Sequence, residues 1–128
     1  MKTISISVEG ITLKAELNDS LTAREILNSL PLEGSANVWG NEIYFEIPVV
    51  ISREEEAREE VEVGELGYWA VGNAFCIFFG PTPVSTDERP RAASPVNVFG
   101  RVSGDAAQLR SVKNGSTVRV ELSETNIK

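Results

Sequence analysis

Apolar and polar residues alternate over residues 3–8, putting Ile4, Ile6 and Val8 on one face, and again over residues 11–17, where Ile11, Leu13, Ala15 and Leu17 share a face. A period of two marks strands with one buried side. Glu9-Gly10 lies between the two runs, so the chain is expected to open with a β-hairpin. The period then changes. Leu21, Ile26, Leu27 and Leu30 form a helical stripe. Thr22 followed by Glu25 has the form of a capping box, Leu21 and Ile26 that of a hydrophobic staple, and Pro31 stops the helix. So short a helix needs a sheet to bury its stripe.

Residues 36–39 and 42–47 flank Gly40-Asn41 and predict a second hairpin. In its second strand Ile43, Phe45 and Ile47 share one face, and Glu42, Tyr44 and Glu46 the other. Pro48 interrupts the ladder or marks an edge, and residues 49–51 are a short candidate strand. Residues 60–63 are expected to return to the sheet, followed by 68–70 and 74–79. The last run is apolar almost throughout, which predicts a central strand covered on both faces. Residues 84–95 are aperiodic and rich in Ser, Thr, Asp, Arg and Pro, the pattern of the longest loop. A strand over 96–102, a short helix over 105–112, a turn at Asn114-Gly115 and a strand over 117–122 complete the chain, with a tail expected to fray from Ser123. Many short strands with Gly/Pro-rich turns suggest a barrel or sandwich, and two short helices suit the open ends of a barrel.

The 128 residues fit one domain. A net charge of -7 disfavours nucleic acid and anionic membranes, where phosphates call for Lys and Arg. The acid is concentrated in Glu54, Glu55, Glu56, Glu59, Glu60 and Glu62, against the lone base Arg58. This run reads first as a solvated segment, and second as a surface for a basic protein partner. Cys76 is the only cysteine and no histidine occurs, so no intrachain disulfide and no Ser-His-Asp arrangement can form, and Cys76 is expected to be a buried, inert thiol. With no secretory signal pattern and no long apolar run, a cytoplasmic protein is expected. Neither a metal nor a cofactor is expected: the glutamates lack calcium-loop spacing, and no Gly-Lys-Ser/Thr follows the turn glycines.

Four segments carry a resemblance: Val38-Trp39-Gly40-Asn41-Glu42-Ile43-Tyr44-Phe45, Val63-Gly64-Glu65-Leu66-Gly67-Tyr68-Trp69, Phe78-Phe79-Gly80-Pro81-Thr82-Pro83 and Ser94-Pro95-Val96-Asn97-Val98-Phe99-Gly100. Together they resemble the small cyclophilin-like proteins of bacteria and archaea, once grouped as a domain of unknown function and distantly similar to cyclophilins. The resemblance implies a mainly β fold: a closed eight-stranded barrel with two short capping helices, formed by residues 1–128 as a single domain. It does not carry over the prolyl isomerase site. The position matching the family's histidine is Val96, the Phe-His-Arg motif is missing, and Arg53 lies in the corresponding region without matching neighbours.

In cyclophilins the ligand groove lies on the outer wall. The residues here that the resemblance brings to that region are Trp69, Phe78, Thr82, Arg91 and Asn97, aromatics mixed with polar groups as a recognition site needs. Each also has a structural reading: Phe78 in the core, Trp69 covering a barrel end, Arg91 balancing Asp87 or Glu88. Trp39, Glu42 and Tyr44 form a second cluster. Glu42 would suit a general base if burial raised its pKa toward neutrality, but its place beside a hairpin tip predicts a carboxylate standing in water. The expected function is therefore a non-catalytic binding module for a short peptide or small polar ligand. The alternatives are an acidic protein-interaction domain acting through residues 54–62, and a histidine-free enzyme, such as an atypical prolyl isomerase, working through Glu42 or Arg91.

Overall fold

The computed structural model describes residues 2–123. The opening hairpin pairs β1 (Lys2–Val8) with β2 (Ile11–Leu17), Ile4 opposite Ala15 and Ile6 opposite Leu13, so the alternating apolar residues all face one core. Helix α1 (Leu21–Ser29) follows and buries Ala23 and Ile26. Its cap is Ser20, whose hydroxyl accepts from the Ala23 N–H at 3.1 Å. The expected capping box at Thr22 and staple at Leu21 are corrected: Thr22 is inside the helix and buried, and Leu21 is exposed. Ser20→Ala is expected to cost about 1 kcal/mol of stability, read from a urea unfolding midpoint.

The chain then runs through β3 (Leu32–Ser35), β4 (Asn37–Val38), β5 (Glu42–Glu46), β6 (Arg58–Glu60), β7 (Glu65–Trp69), β8 (Ala74–Phe78), β9 (Arg91–Val102), a 3₁₀ turn over Ala106–Ser111 and β10 (Thr117–Leu122). Residues 49–51 are not a strand. The expected loop over 84–95 is shorter than its composition suggested, because β9 already begins at Arg91. Ser123, expected to start a frayed tail, is buried and donates its N–H to the Thr3 carbonyl at 3.0 Å; the remainder of that tail lies outside the described residues.

Among the described residues the strands form one sheet in the order β3-β10-β1-β2-β9-β7-β8-β5-β4, with β6 added along β9. This corrects the expected closed eight-stranded barrel with two capping helices. The sheet has ten strands, and its ladder does not return on itself. The reason lies at Ala36. β3 pairs with β10, whereas β4, just after it in the chain, pairs with β5. The two ends of the sheet are thus neighbouring pieces of one segment that changes partner, and no ladder joins them.

Two apolar clusters result, one on each side of the sheet. Strand residues alternate in direction. In β8, Phe75 and Ile77 join the large core, while Ala74, Cys76 and Phe78 join a smaller cluster with Val61, Ala92 and Val96. β8 is buried along its whole length, as its unbroken apolar run predicts. The large core is centred on aromatic contacts, Phe75 lying 5.1 Å from both Phe45 and Phe99 between ring centroids. The smaller cluster positions the site.

Candidate functional site

β5, β8 and β7 lie side by side, and their outward positions make the floor of a pocket. Register puts Tyr44 opposite Cys76, Glu42 opposite Phe78 and Trp69 opposite Ala74. Trp39 is held across from Glu42 by a two-residue turn. The Trp39 N–H donates to the Glu42 carbonyl at 2.9 Å, and the Glu42 N–H to the Trp39 carbonyl at 3.2 Å. Gly40 supplies the positive φ (60°) that the first central position of such a turn requires. β9 walls the pocket with Ala92, Ala93 and Val96. That wall can come close because residue 67 is glycine: a Cβ there would lie 2.7 Å from Val96 Cγ2. The pocket is half open to solvent, and its volume of about 260 Å³ is enough for a small molecule or one side chain.

The lining is mostly aromatic and aliphatic. The rings of Tyr44 and Trp69 meet edge to face, with centroids 6.2 Å apart and planes at 72°. Trp69 Nε1–H donates to Ser94 Oγ at 2.6 Å, which fixes the indole and uses its only donor. Glu42 is the one carboxylate in the lining and is only 5 % exposed. The expectation that it stands in water is therefore corrected: Trp39 and strand β9 enclose what looked like an exposed turn flank. Burial pushes its pKa up to about 7, opposed by a hydrogen bond with the Cys76 thiol. Glu42 Oε1 has no hydrogen-bond partner among the described residues. Burial, and then the Glu42 charge, push the Cys76 thiol well up, so it remains protonated and unreactive at neutral pH.

The fold brings Trp69, from one expected cluster, together with Trp39, Glu42 and Tyr44, from the other. It disperses the remaining candidates. Phe78 is fully buried beneath the pocket in the smaller apolar cluster. The Thr82 hydroxyl donates to the Arg91 carbonyl at 2.5 Å, closing the loop before β9. Arg91 Nη2 pairs with Glu59 Oε1 at 2.8 Å. Asn97 is buried away from the pocket lining and ties three segments together. Its side chain accepts from the Glu54 N–H at 2.8 Å and donates to the Ser52 carbonyl at 3.0 Å and to Thr22 Oγ1 at 3.1 Å. The acidic run is partly engaged within the chain: Glu54 accepts from the Thr22 N–H and hydroxyl, and Glu60 reaches Arg89 at 3.5 Å. Arg53 is exposed. Sequence reasoning missed Cys76, Ala92, Ala93 and Val96 as pocket residues. One signal for them was present: β8 is apolar on both faces, so a second layer had to cover its outer side.

The sheet thus carries this pocket on its outer side, with Val96 in the wall. The family model described as cyclophilin-like matches residues 2–121. The chain belongs to the cyclophilin-like family. The solution structure of a hypothetical protein from Archaeoglobus fulgidus is similar to it at 38 % identity, over 95 % of each chain, with a TM-score of 0.80. No curated protein matches the chain. It is thus a small prokaryotic cyclophilin-like protein, distantly related to the cyclophilins. Val96, the position that the resemblance matches with the isomerase histidine, is buried and carries no hydrogen-bonding side chain. Among the described residues no helix is long and apolar enough to cross a membrane.

Proposed function

We propose that this cyclophilin-like protein is a non-catalytic binding module whose outer pocket takes a small molecule, or a single side chain of a short peptide. The observation that carries this is Glu42: a carboxylate almost fully buried among Trp39, Tyr44 and Trp69, with one oxygen left without a partner. Unpaired buried oxygens are costly and rare, and at the rim of an aromatic pocket such a group points to a ligand that supplies the missing partner. Val96 supports binding over isomerisation, because the wall of the pocket offers no hydrogen bond there.

The test is a saturation-transfer NMR screen of small molecules against the intact chain and Trp69→Ala. Binders whose affinity falls at least about ten-fold in Trp69→Ala are expected, since an aromatic contact in a desolvated pocket is worth about that much. Binders unaffected by Trp69→Ala and by Tyr44→Ala would place recognition elsewhere.

A second reading draws on the same carboxylate. A group with a pKa of about 7 at a pocket wall can take up and return a proton at neutral pH, which suits a histidine-free enzyme. Recovery of a bound compound chemically altered by the protein, but unaltered by Glu42→Gln, would favour it. Recovery unaltered from both proteins favours binding alone.

A further inference from the structure

We propose that the pocket is a cation cage, in which the faces of Trp39, Tyr44 and Trp69 and the carboxylate of Glu42 together take a small organic ammonium group. This rests on the reading of the pocket as a ligand site and names the class of ligand.

Three features of the lining select a cation. The first is charge. Glu42 is the only ionisable carboxylate in the lining, and no Lys or Arg accompanies it. An anionic ligand would face an acid with no base to offset it, whereas an ammonium group would give Glu42 the ion pair it lacks. The second is the aromatic set. Ring faces are negative at the centre, and three rings around one carboxylate are the arrangement that attracts alkylated ammonium ions. The Trp69 N–H is already taken by Ser94, so the indole can contribute to the cage only through its ring. Tyr44 stands nearly perpendicular to it, so two walls of the cage meet at a corner. The third is size. A volume of about 260 Å³ takes a methylated ammonium head with a short tail and leaves little room for a long peptide.

The cage also couples binding to pH. Glu42 is about half protonated near pH 7, and a cation favours its ionised form. The other titratable groups lining the pocket are the Tyr44 phenol on its own strand and the Cys76 thiol on β8; β7 presents Trp69 and β9 presents Ala92, Ala93 and Val96, none of which titrates. Glu42 alone should therefore set the pH dependence around neutrality.

The experiment is isothermal titration calorimetry of the intact chain with choline chloride and, in parallel, with its uncharged tert-butyl isostere dimethylbutanol. Choline is expected to bind at least about ten-fold more tightly than the isostere, because the isostere keeps the shape and loses the charge. Its affinity should fall about ten-fold between pH 8 and pH 6, and runs in buffers of different ionisation enthalpy at pH 7 should show release of about half a proton. Glu42→Gln, nearly isosteric, should weaken the preference for the cation, leaving the part owed to the rings, and abolish the pH dependence. An isostere binding as tightly as choline, or a choline affinity and pH dependence unchanged in Glu42→Gln, would overturn the cage while leaving the pocket a ligand site. If neither compound binds while neutral molecules from the wider screen do, the cage is likewise overturned. If no compound of any class perturbs the pocket, the binding reading itself fails.

Discussion

At pH 8, Glu42→Gln is expected to make the protein more stable by about 2–3 kcal/mol, with little effect at pH 4. The sign follows from the direction of the shift. The carboxyl has an ordinary value of 4.5, and burial raises it to about 7 in the folded protein. Below pH 4.5 the group is protonated in both the folded and unfolded chains and contributes no difference. As pH rises toward 7 the unfolded chain ionises first, so the wild type loses stability through that window and stays lower above it. A shift of this size corresponds to roughly 3 kcal/mol, and the buried amide of glutamine returns part of that. Urea unfolding of both proteins at the two pH values reads the effect directly. Equal stability of the two at pH 8 would mean that Glu42 is hydrated in solution. A carboxylate retained at such a cost in stability is a feature of sites built for binding.

The second large effect belongs to Asn97, which the fold makes a fastener between segments. Its amide joins β9 to Ser52 and Glu54 of the segment before β6, and through Thr22 to helix α1. Asn97→Leu leaves the Glu54 N–H and the Ser52 carbonyl without their partners and is expected to cost about 2–4 kcal/mol. Asn97→Asp should cost at least as much, because it removes both donors and adds a carboxylate near that of Glu54. Chemical unfolding at pH 7 measures both variants. Ligand affinity of the folded fraction should stay within about two-fold of wild type, since Asn97 does not line the pocket.

The first hairpin and the central position of β8 were legible because each is written in a single local pattern. The helix was found but not its start: Asn18, Asp19, Ser20 and Thr22 can all cap, and the choice of Ser20 follows from Thr22 being drawn inward to Glu54 and Asn97. The first residues of β9 were hidden by Ser94 and Pro95, which read as loop; there the strand is held from one side by β6 across a shift in register. Closure of the sheet was misjudged because the change of partner at Ala36 depends on β10 and β5, both distant from it in sequence or held by a turn. The pocket was legible only in halves. Glu42 and Tyr44 share a strand face, which a period of two reveals, and Trp39 stands across the two-residue turn from Glu42. That Trp69 stands beside them requires knowing that β8 pairs with both β5 and β7. The burial of Glu42 was not legible at all, since the wall opposite it comes from a distant strand, at Ala92 and Val96.

The two tryptophans of the chain, Trp39 and Trp69, both line the pocket, so an NMR spectrum of the intact protein carries just two side-chain indole N–H signals and both report on this site. Following those two signals during titration with the tightest small-molecule binder is the most direct test. A ligand seated in this pocket should move both together and saturate them at one equivalent, with the backbone signals of Tyr44, Cys76 and Val96 moving alongside. Saturable binding that leaves both indole signals in place would contradict the proposed site.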